Sequence, residues 1–268
     1  MFDPLSLWGV LLAALFGAVF GSFINVLAIR WHEGASIGGR SACPSCKSQL
    51  KAQHLVPIIS WMVLRGRCAA CHARIHPQYV AVEIAAALLA VIAALRWDPT
   101  NSTSLPHFLF EFVVSLGLLV PLIMDLRWKE IPVEYVIALG ACAAIARGLI
   151  ARADGTATFW MTLAWTGVAV CAATAFFGGQ IVMSRGKWLG QGDLWLGIGM
   201  AGILGLQGLG IALYLAYVVG GIVAGIALLA GLVKRRTKLP FAPALVAGTL
   251  GAIWFGPLIA EWIAHALV

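Results

Sequence analysis

The chain has 268 residues, of which 61% are hydrophobic and only 11% are charged. A soluble domain is about a quarter charged, so this composition excludes a surface that faces water throughout and predicts several membrane spans of about 20 residues each. The net charge of +7 would suggest nucleic acid as the partner of a soluble protein, but in a membrane protein Lys and Arg set the orientation. We therefore expect the lipid bilayer, and no nucleic acid, as a partner.

Apolar runs separated by polar segments predict an all-α polytopic membrane protein with about eight transmembrane helices. The first run has neither a basic N-terminal region nor a small-residue cleavage site, so we expect a retained span rather than a removed signal peptide. In chain order the runs are 5–29, 79–95, 107–124, 133–146, 159–183, 194–206, 209–233 and 241–268.

The distribution of basic residues predicts the orientation of these spans. With the N-terminus on the periplasmic side and the spans alternating, 15 of the 18 Lys and Arg residues lie in cytoplasmic segments. Seven of them are in the stretch 30–78 and four are in 234–240. Cytoplasmic segments of membrane proteins carry this excess, so the opposite orientation is strongly disfavoured.

The stretch 30–78 is a cytoplasmic loop between the first two spans, and it holds four of the six cysteines. Cys43 and Cys46 form one C-x2-C pair, and Cys68 and Cys71 form a second pair after 21 intervening residues. Two such zinc knuckles are typical of a structural Zn²⁺ site in which the protein supplies all four ligands. The alternative is four free or transiently oxidised thiols, although the cytoplasm disfavours disulfides.

Two aspartates lie at predicted edges of spans, where a carboxylate is expensive. Asp125 follows the third span and Asp193 precedes the sixth, and the predicted topology puts both at the cytoplasmic face. Two close carboxyl groups do not readily both ionise, so one can take a proton from water while the other polarises a peptide carbonyl. Gly190 and Gly192 would let this active-site loop approach a substrate strand closely. Alternatively the aspartates are only helix-end charges, which suits Asp193 better than Asp125.

Taken together, these motifs resemble those of the bacterial type IV prepilin peptidases, which are Gly-x-Gly-Asp membrane aspartyl proteases. The resemblance runs in order over residues 21–243, and Asp125 and Asp193 match the family's catalytic pair. Besides the cysteine pairs, the matching segments are 21–26, 57–61, 64–68, 79–83, Asp125 with 131–132, 190–193 and 240–243.

The resemblance implies a hydrolase of the bacterial inner membrane that serves type IV pilus assembly and type II secretion. Its substrates would be prepilins and pseudopilins, cut after a glycine at the cytoplasmic face. The cysteine loop resembles that of the bifunctional members, which also N-methylate the new N-terminus with S-adenosyl-L-methionine. Residues 1–95 would then be the methyltransferase part, and 107–268 the aspartyl peptidase domain. The sequence alone does not locate a site for the methyl donor.

Glu83, at the start of the second span, is a candidate for methyl transfer or for supporting the cytoplasmic loop. The alternative is a solvated or ion-paired carboxylate at the membrane interface.

The chain departs from the family pattern at several positions. Val133 and Glu134 follow Ile-Pro where the family often has Asp, and Trp195 stands where it usually has Lys. His72 and Ala242 replace glycines. The changes at Val133, Glu134 and Trp195 lie near the predicted active site and bear on substrate preference and rate rather than on the type of reaction.

Two other classes of function remain open. A transporter or channel could use the two aspartates as a proton relay, but relay acids are expected at mid-span and at staggered depths. A non-enzymatic secretion assembly protein could use the zinc loop for docking, and it would tolerate Asp125→Asn and Asp193→Asn.

Overall fold

In the computed structural model, the residues described are 7–98, 100–101, 104–232 and 240–266. Within these ranges the chain is mainly helical, and strand-like pairing is limited to two isolated β-bridges. The α-helices are α1 (Leu7–His32), α2 (Ile59–Val63), α3 (Gln78–Arg96), α4 (Ser104–Gly117), α5 (Leu119–Trp128), α6 (Val133–Ala153), α7 (Phe159–Ser184), α8 (Gln191–Leu229) and α9 (Ala242–Ala266).

The helices confirm the predicted all-α polytopic membrane fold. Within the described ranges, six helical segments are long and apolar enough to cross a membrane, namely α1, α3, α4 with α5, α6, α7 and α8. The apolar part of α9, Ala242–Gly256, is shorter. The four basic residues within 234–238 that were expected to help set the orientation lie outside the described residues.

Helix α8 contains both the sixth and the seventh predicted span, which join at Gly205 without a loop. Gly205 has φ 69° and ψ −171°, a conformation that glycine adopts far more readily than other residues. Asp193 and Tyr217 interact electrostatically across this break, although 24 residues of straight helix would separate them by about 36 Å. The chain therefore turns back on itself at Gly205, and α8 consists of two helical segments.

Arg147 of α6 lies against the turn at Gly205. This contact bears on the end of α6, which was predicted several residues too early. Nη1 of Arg147 donates hydrogen bonds to the carbonyl oxygen of Gly202 at 3.4 Å and to Oγ1 of Thr166 at 3.5 Å. A cation is favourable at the carbonyl end of a helical segment. Because its guanidinium group has these partners, Arg147 is accommodated within a membrane helix. Helix α6 therefore continues to Ala153 instead of ending at residue 146.

Packing divides the chain into two compact units, Met1–Ile123 and Met124–Val268. The expected assignment of methyl transfer to 1–95 and peptide cleavage to 107–268 stays a prediction, because packing does not reveal which reaction a unit performs.

Each unit uses glycine to bring helices into close contact. In the first unit α1 packs along α3, and a Cβ atom at Gly21 would lie only 2.8 Å from the Cα atom of Glu83. In the second unit α6 packs on α8, and a Cβ atom at Gly140 would lie 2.9 Å from the Cα atom of Gly199. Small residues at such crossings are typical of helices that associate in lipid.

Candidate functional site

The second unit brings Asp125 and Asp193 together although they are 68 residues apart in sequence. Asp125 lies on α5 and is only 8% exposed. Asp193 lies in the first turn of α8 and is partly buried. The two carboxyl groups are close enough to interact electrostatically, so the structure provides the pair of acids that the sequence predicts.

The start of α8 orients the Asp193 side chain. Its Oδ2 accepts a hydrogen bond of 3.0 Å from the backbone N–H of Gly190, the residue that caps the helix. The backbone N–H of Asp193 in turn donates to the carbonyl oxygen of Gly190 at 3.2 Å. The first turn of a helix has unsatisfied N–H donors and a partial positive charge, so a carboxylate is favourable there.

The two glycines beside Gln191 differ in their surroundings. A Cβ atom at Gly192 would lie 2.7 Å from Cγ1 of Ile131, which belongs to the segment between α5 and α6. A Cβ atom at Gly190 would meet nothing closer than Oδ2 of Asp193 at 3.7 Å, an ordinary contact. Gly192 is therefore needed for packing within this chain, whereas close approach of either glycine to a substrate stays a prediction.

Asp125 receives a backbone donor that sequence reasoning missed. The backbone amide of Ala242, the first residue of α9, hydrogen bonds to its carboxyl group, and Lys129 interacts with it electrostatically. Oδ2 of Asp125 is buried and has no hydrogen-bond partner among the described residues. A buried polar atom in this state is costly, and it is available to a water molecule or a peptide group.

A second missed feature is a hydrogen-bonded pair close to Asp193. The hydroxyl of Tyr217 donates to Oε1 of Gln180 at 2.9 Å, and Nε2 of Gln180 donates to the carbonyl oxygen of Phe176 at 3.3 Å. Tyr217 packs edge-on against Phe241 with ring centroids 5.2 Å apart, and it is 40% exposed. A glutamine inside the apolar run 159–183 is the signal that could have located this pair.

The positions that depart from the family pattern beside the aspartates lie at the surface. Glu134 and Trp195 are exposed, and Val133 is partly exposed. None of the three is packed into the interior beneath the aspartates, which leaves the carboxyl pair intact.

In the first unit the four loop cysteines converge. The sulfur atoms of Cys43, Cys46, Cys68 and Cys71 all lie within 4.8 Å of one another. The Sγ atoms of Cys43 and Cys71 are 3.9 Å apart, close to the edge of about 3.8 Å that four Zn–S bonds of about 2.3 Å define in a tetrahedron. The arrangement fits a metal held by four thiolates.

The two knuckles have the same backbone geometry. Ala42 pairs with Gln49 in one, and Arg67 pairs with Arg74 in the other, with the same spacing. In each knuckle the first cysteine N–H donates five residues ahead, from Cys43 to Ser48 at 3.0 Å and from Cys68 to Ala73 at 2.9 Å. The residues after the second cysteines, Lys47 and His72, have φ values of 58° and 57°. This repeated geometry holds the four sulfurs in place.

The ionisation of the four thiol groups in the cluster depends on a neighbouring positive charge. The pKa of the Cys46 thiol is lowered to about 6, mainly by the hydrogen bond from the Ser48 hydroxyl at 3.0 Å. The Ala73 amide favours the thiolate of Cys71, yet its pKa rises to about 11 because the Cys46 sulfur disfavours a second negative charge nearby. Four sulfurs this close cannot all ionise unless a cation neutralises them.

Glu83 ties the membrane helices of the first unit to the loop. It is buried on α3, its Oε2 accepts a 2.7 Å hydrogen bond from the backbone N–H of Ile58, and Ser22 of α1 also hydrogen bonds to it. Nearby, Nδ2 of Asn25 donates to the carbonyl oxygen of Tyr79 at 3.1 Å. Three of the segments that carry the family resemblance thus meet at one place.

Comparisons with known proteins identify relatives of this chain. Residues 15–97 match the family model described as Bacterial Peptidase A24 N-terminal domain. The chain is 32% identical over 256 residues to the prepilin leader peptidase/N-methyltransferase of Bacillus subtilis strain 168. The matched region covers 94% of this chain and 97% of that protein.

Two further relatives are similar over nearly their whole length. A prepilin leader peptidase/N-methyltransferase of Stutzerimonas stutzeri is 28% identical over 290 residues, or 96% of this chain and 94% of that protein. The type 4 prepilin-like proteins leader peptide-processing enzyme of Escherichia coli O78:H11 strain H10407 is 28% identical over 270 residues, or 92% and 94%. No solved structure matches the chain.

Proposed function

The chain belongs to the prepilin leader peptidase/N-methyltransferase family, and on that premise we propose that it cleaves the leader peptide from prepilins and pseudopilins and N-methylates the new N-terminus. It is a multi-pass inner-membrane protein with six long apolar helices within its described residues. The observation that carries the peptidase function is the electrostatically coupled pair of Asp125 and Asp193.

The two aspartates have different surroundings, which supports different roles. The N-terminal turn of α8 and the N–H of Gly190 stabilise a carboxylate at Asp193. Burial of the unpartnered Oδ2 favours a protonated carboxyl group at Asp125. Asp193 is then the general base and Asp125 the general acid.

Cleavage follows from these roles. The Asp193 carboxylate takes a proton from a water molecule, whose oxygen attacks the scissile carbonyl carbon while Asp125 gives its proton to the carbonyl oxygen. The tetrahedral intermediate collapses when the C–N bond breaks: Asp193 gives its proton to the leaving amine, and a hydroxyl of the intermediate returns a proton to the Asp125 carboxylate as the carboxyl product forms. The hydrogen bond from Ala242 to Asp125 keeps that carboxyl group in place through both steps.

The orientation of the chain is part of the proposal. The N-terminus is periplasmic, and the aspartates act at the cytoplasmic face, where the scissile bond follows a glycine of the leader. The excess of Lys and Arg in the cytoplasmic segments supports this orientation.

The cysteine cluster holds a structural Zn²⁺ through Cys43, Cys46, Cys68 and Cys71. The sulfur spacing and the matched knuckles support zinc. Four protein ligands leave no open position, so the metal stabilises the loop and takes no part in the cleavage.

Methyl transfer rests on the family and on the cysteine loop. The described residues do not identify a site for S-adenosyl-L-methionine, and the Glu83 carboxylate is engaged by Ile58 and Ser22, which favours loop support. Incubation of membranes with labelled S-adenosyl-L-methionine and a cleaved prepilin tests the reaction. We expect label on the new N-terminus, and cleavage without label would reject this half of the function.

The peptidase is tested by the cleavage of a prepilin in membranes that carry wild type, Asp125→Asn or Asp193→Asn at matched expression. Asparagine keeps the size of the side chain but cannot exchange a proton, so we expect each variant to lose cleavage. Asp154→Asn is the matched control, since Asp154 is exposed at the end of α6. Cleavage near the wild-type rate in either site variant would show that this aspartate is structural.

A further inference from the structure

The segment 55–63, between the two cysteine pairs, exposes a set of apolar side chains. In α2, Ile59 is 60% exposed, Met62 is 63% exposed and Val63 is 74% exposed. Leu55 and Val56 just before the helix are exposed as well. Five exposed apolar side chains within nine residues of a polar loop indicate a contact with a protein or a membrane.

The hydrogen bond between Ile58 and Glu83 fixes where this segment lies. Ile58 immediately precedes α2, and its backbone N–H donates to the Glu83 carboxylate on α3 at 2.7 Å. Ser22 of α1 hydrogen bonds to the same carboxylate. The start of α2 is therefore tied to the side of the α1–α3 pair, and α2 cannot extend freely into water.

The level of Glu83 along α3 gives the depth of α2. Helix α3 has 19 residues and is about 28 Å long, which is close to the thickness of about 30 Å of the hydrocarbon core. Glu83 is five residues after Gln78, so it lies about 8 Å inside the beginning of the helix. Ile58 hydrogen bonds to Glu83 and so lies near this depth, which is within the range of about 5–10 Å below the headgroup boundary to which interfacial helices bury their apolar faces.

The charges around the segment favour an anionic lipid surface. Residues 33–78 contain six Lys and Arg but only one acidic residue, Glu33. Lys51 and Arg65 flank the apolar segment on either side, and both are exposed. Basic residues beside an apolar face are typical of interfacial helices that bind anionic phospholipids.

We propose that residues 55–63 form an interfacial anchor that lies in the leaflet where α1 ends and α3 begins, with Ile59, Met62 and Val63 among the acyl chains and Lys51 and Arg65 at anionic headgroups. The anchor joins the two knuckles, so it holds the cysteine cluster at the membrane surface. A prepilin segment or a second copy of the chain is the rival occupant of this face, but neither accounts for both the depth and the flanking charges.

The anchor is tested by photo-crosslinking with the full-length protein. Benzoylphenylalanine replaces Met62 in the test protein. In the control it replaces Ser45, an exposed residue of the first knuckle. Each protein is placed in vesicles of phosphatidylethanolamine and phosphatidylglycerol. We expect phospholipid adducts at position 62, at least severalfold more than at position 45. Adducts with an added prepilin or with a second chain in place of lipid would overturn the proposal, as would equal lipid adducts at both positions or none at position 62.

A second measurement uses the unmodified protein, in case the substituted chain does not fold. Amide hydrogen exchange is compared between nanodiscs that contain phosphatidylglycerol and nanodiscs of phosphatidylcholine alone. We expect severalfold slower exchange of 55–63 in the anionic discs, with little change in the turn at 154–157. Equal exchange of 55–63 in both lipids would remove the role of the anionic headgroups and overturn the proposal as stated.

Discussion

The carboxyl pair of the second unit and the cysteine cluster of the first differ in how completely the protein satisfies them. Asp125 keeps a buried oxygen without a partner among the described residues. The four cysteines face one another in two matched knuckles whose geometry is complete once a metal is bound. A polar site left partly unsatisfied is ready to act on another molecule, whereas a closed set of ligands serves stability. Variants that separate activity from loop stability test this distinction.

The largest effect is expected for the aspartates. Asp125→Asn or Asp193→Asn should lower the rate of cleavage by about 10³-fold or more, because general acid–base catalysis alone contributes about 10² to 10⁴. The zinc content of the purified variants should equal that of wild type, since the cluster belongs to the other unit. The cleavage assay checks the loss of activity, and metal analysis of the same preparations checks the zinc content. Loss of zinc in these variants would contradict the independence of the two sites.

Replacement of one cysteine of the cluster should instead affect zinc binding and the stability of the loop. Cys68→Ser should abolish stoichiometric zinc and expose the loop 30–78 to protease, because one lost thiolate opens a four-ligand site whose binding energy is folding energy. Cys142→Ser is the control, since Cys142 is an exposed cysteine of α6 outside the cluster. Full zinc content and an intact loop in Cys68→Ser would show that the cluster is not a metal site.

A smaller effect is expected for Gly192, which lies in the first turn of α8 rather than in the predicted loop. Gly192→Ala should reduce cleavage about tenfold, because its Cβ atom overlaps Cγ1 of Ile131 and such overpacking typically costs about 1–3 kcal/mol. Gly190→Ala, where the nearest atom is 3.7 Å away, should change cleavage much less. Ile131→Ala should rescue Gly192→Ala by removing the clash, and a double variant no better than Gly192→Ala would place the effect in the substrate contact.

Some of this site could be predicted from sequence and some could not. A carboxylate at the end of an apolar run and paired cysteines are conspicuous by residue type, so the sequence singles out Asp125, Asp193 and the four cysteines. The structure brings the two aspartates together and the four sulfurs together, while their roles stay predictions. The amide of Ala242 is a backbone donor, and any residue except proline would supply it. Tyr217 approaches Asp193 only because the chain reverses at Gly205, and no local pattern of apolar residues encodes that contact.

A modest effect is expected at the missed tyrosine. Tyr217→Phe keeps the ring packing on Phe241 but removes the hydrogen bond to Gln180, a loss of about 1 kcal/mol. Cleavage should fall by about fivefold. Tyr214→Phe on the same helix is the control, because Tyr214 is 68% exposed. Equal rates for the two variants would show that the Tyr217 hydroxyl does not influence the carboxyl pair.

The smallest effect should be a gain of stability in the cysteine loop. His72 has φ 57°, in the left-handed region where a side chain costs about 1 kcal/mol relative to glycine. His72→Gly should therefore make the loop harder to unfold, with zinc released at a higher chelator concentration and cleavage unchanged. Ala73→Gly, one residue further on, has no positive φ to relieve and should give no gain. The replacement of the family's usual glycine by His72 is then a local strain that four metal–sulfur bonds would outweigh. Equal weakening of the loop by both glycine variants would mean that His72 is not strained in the folded protein.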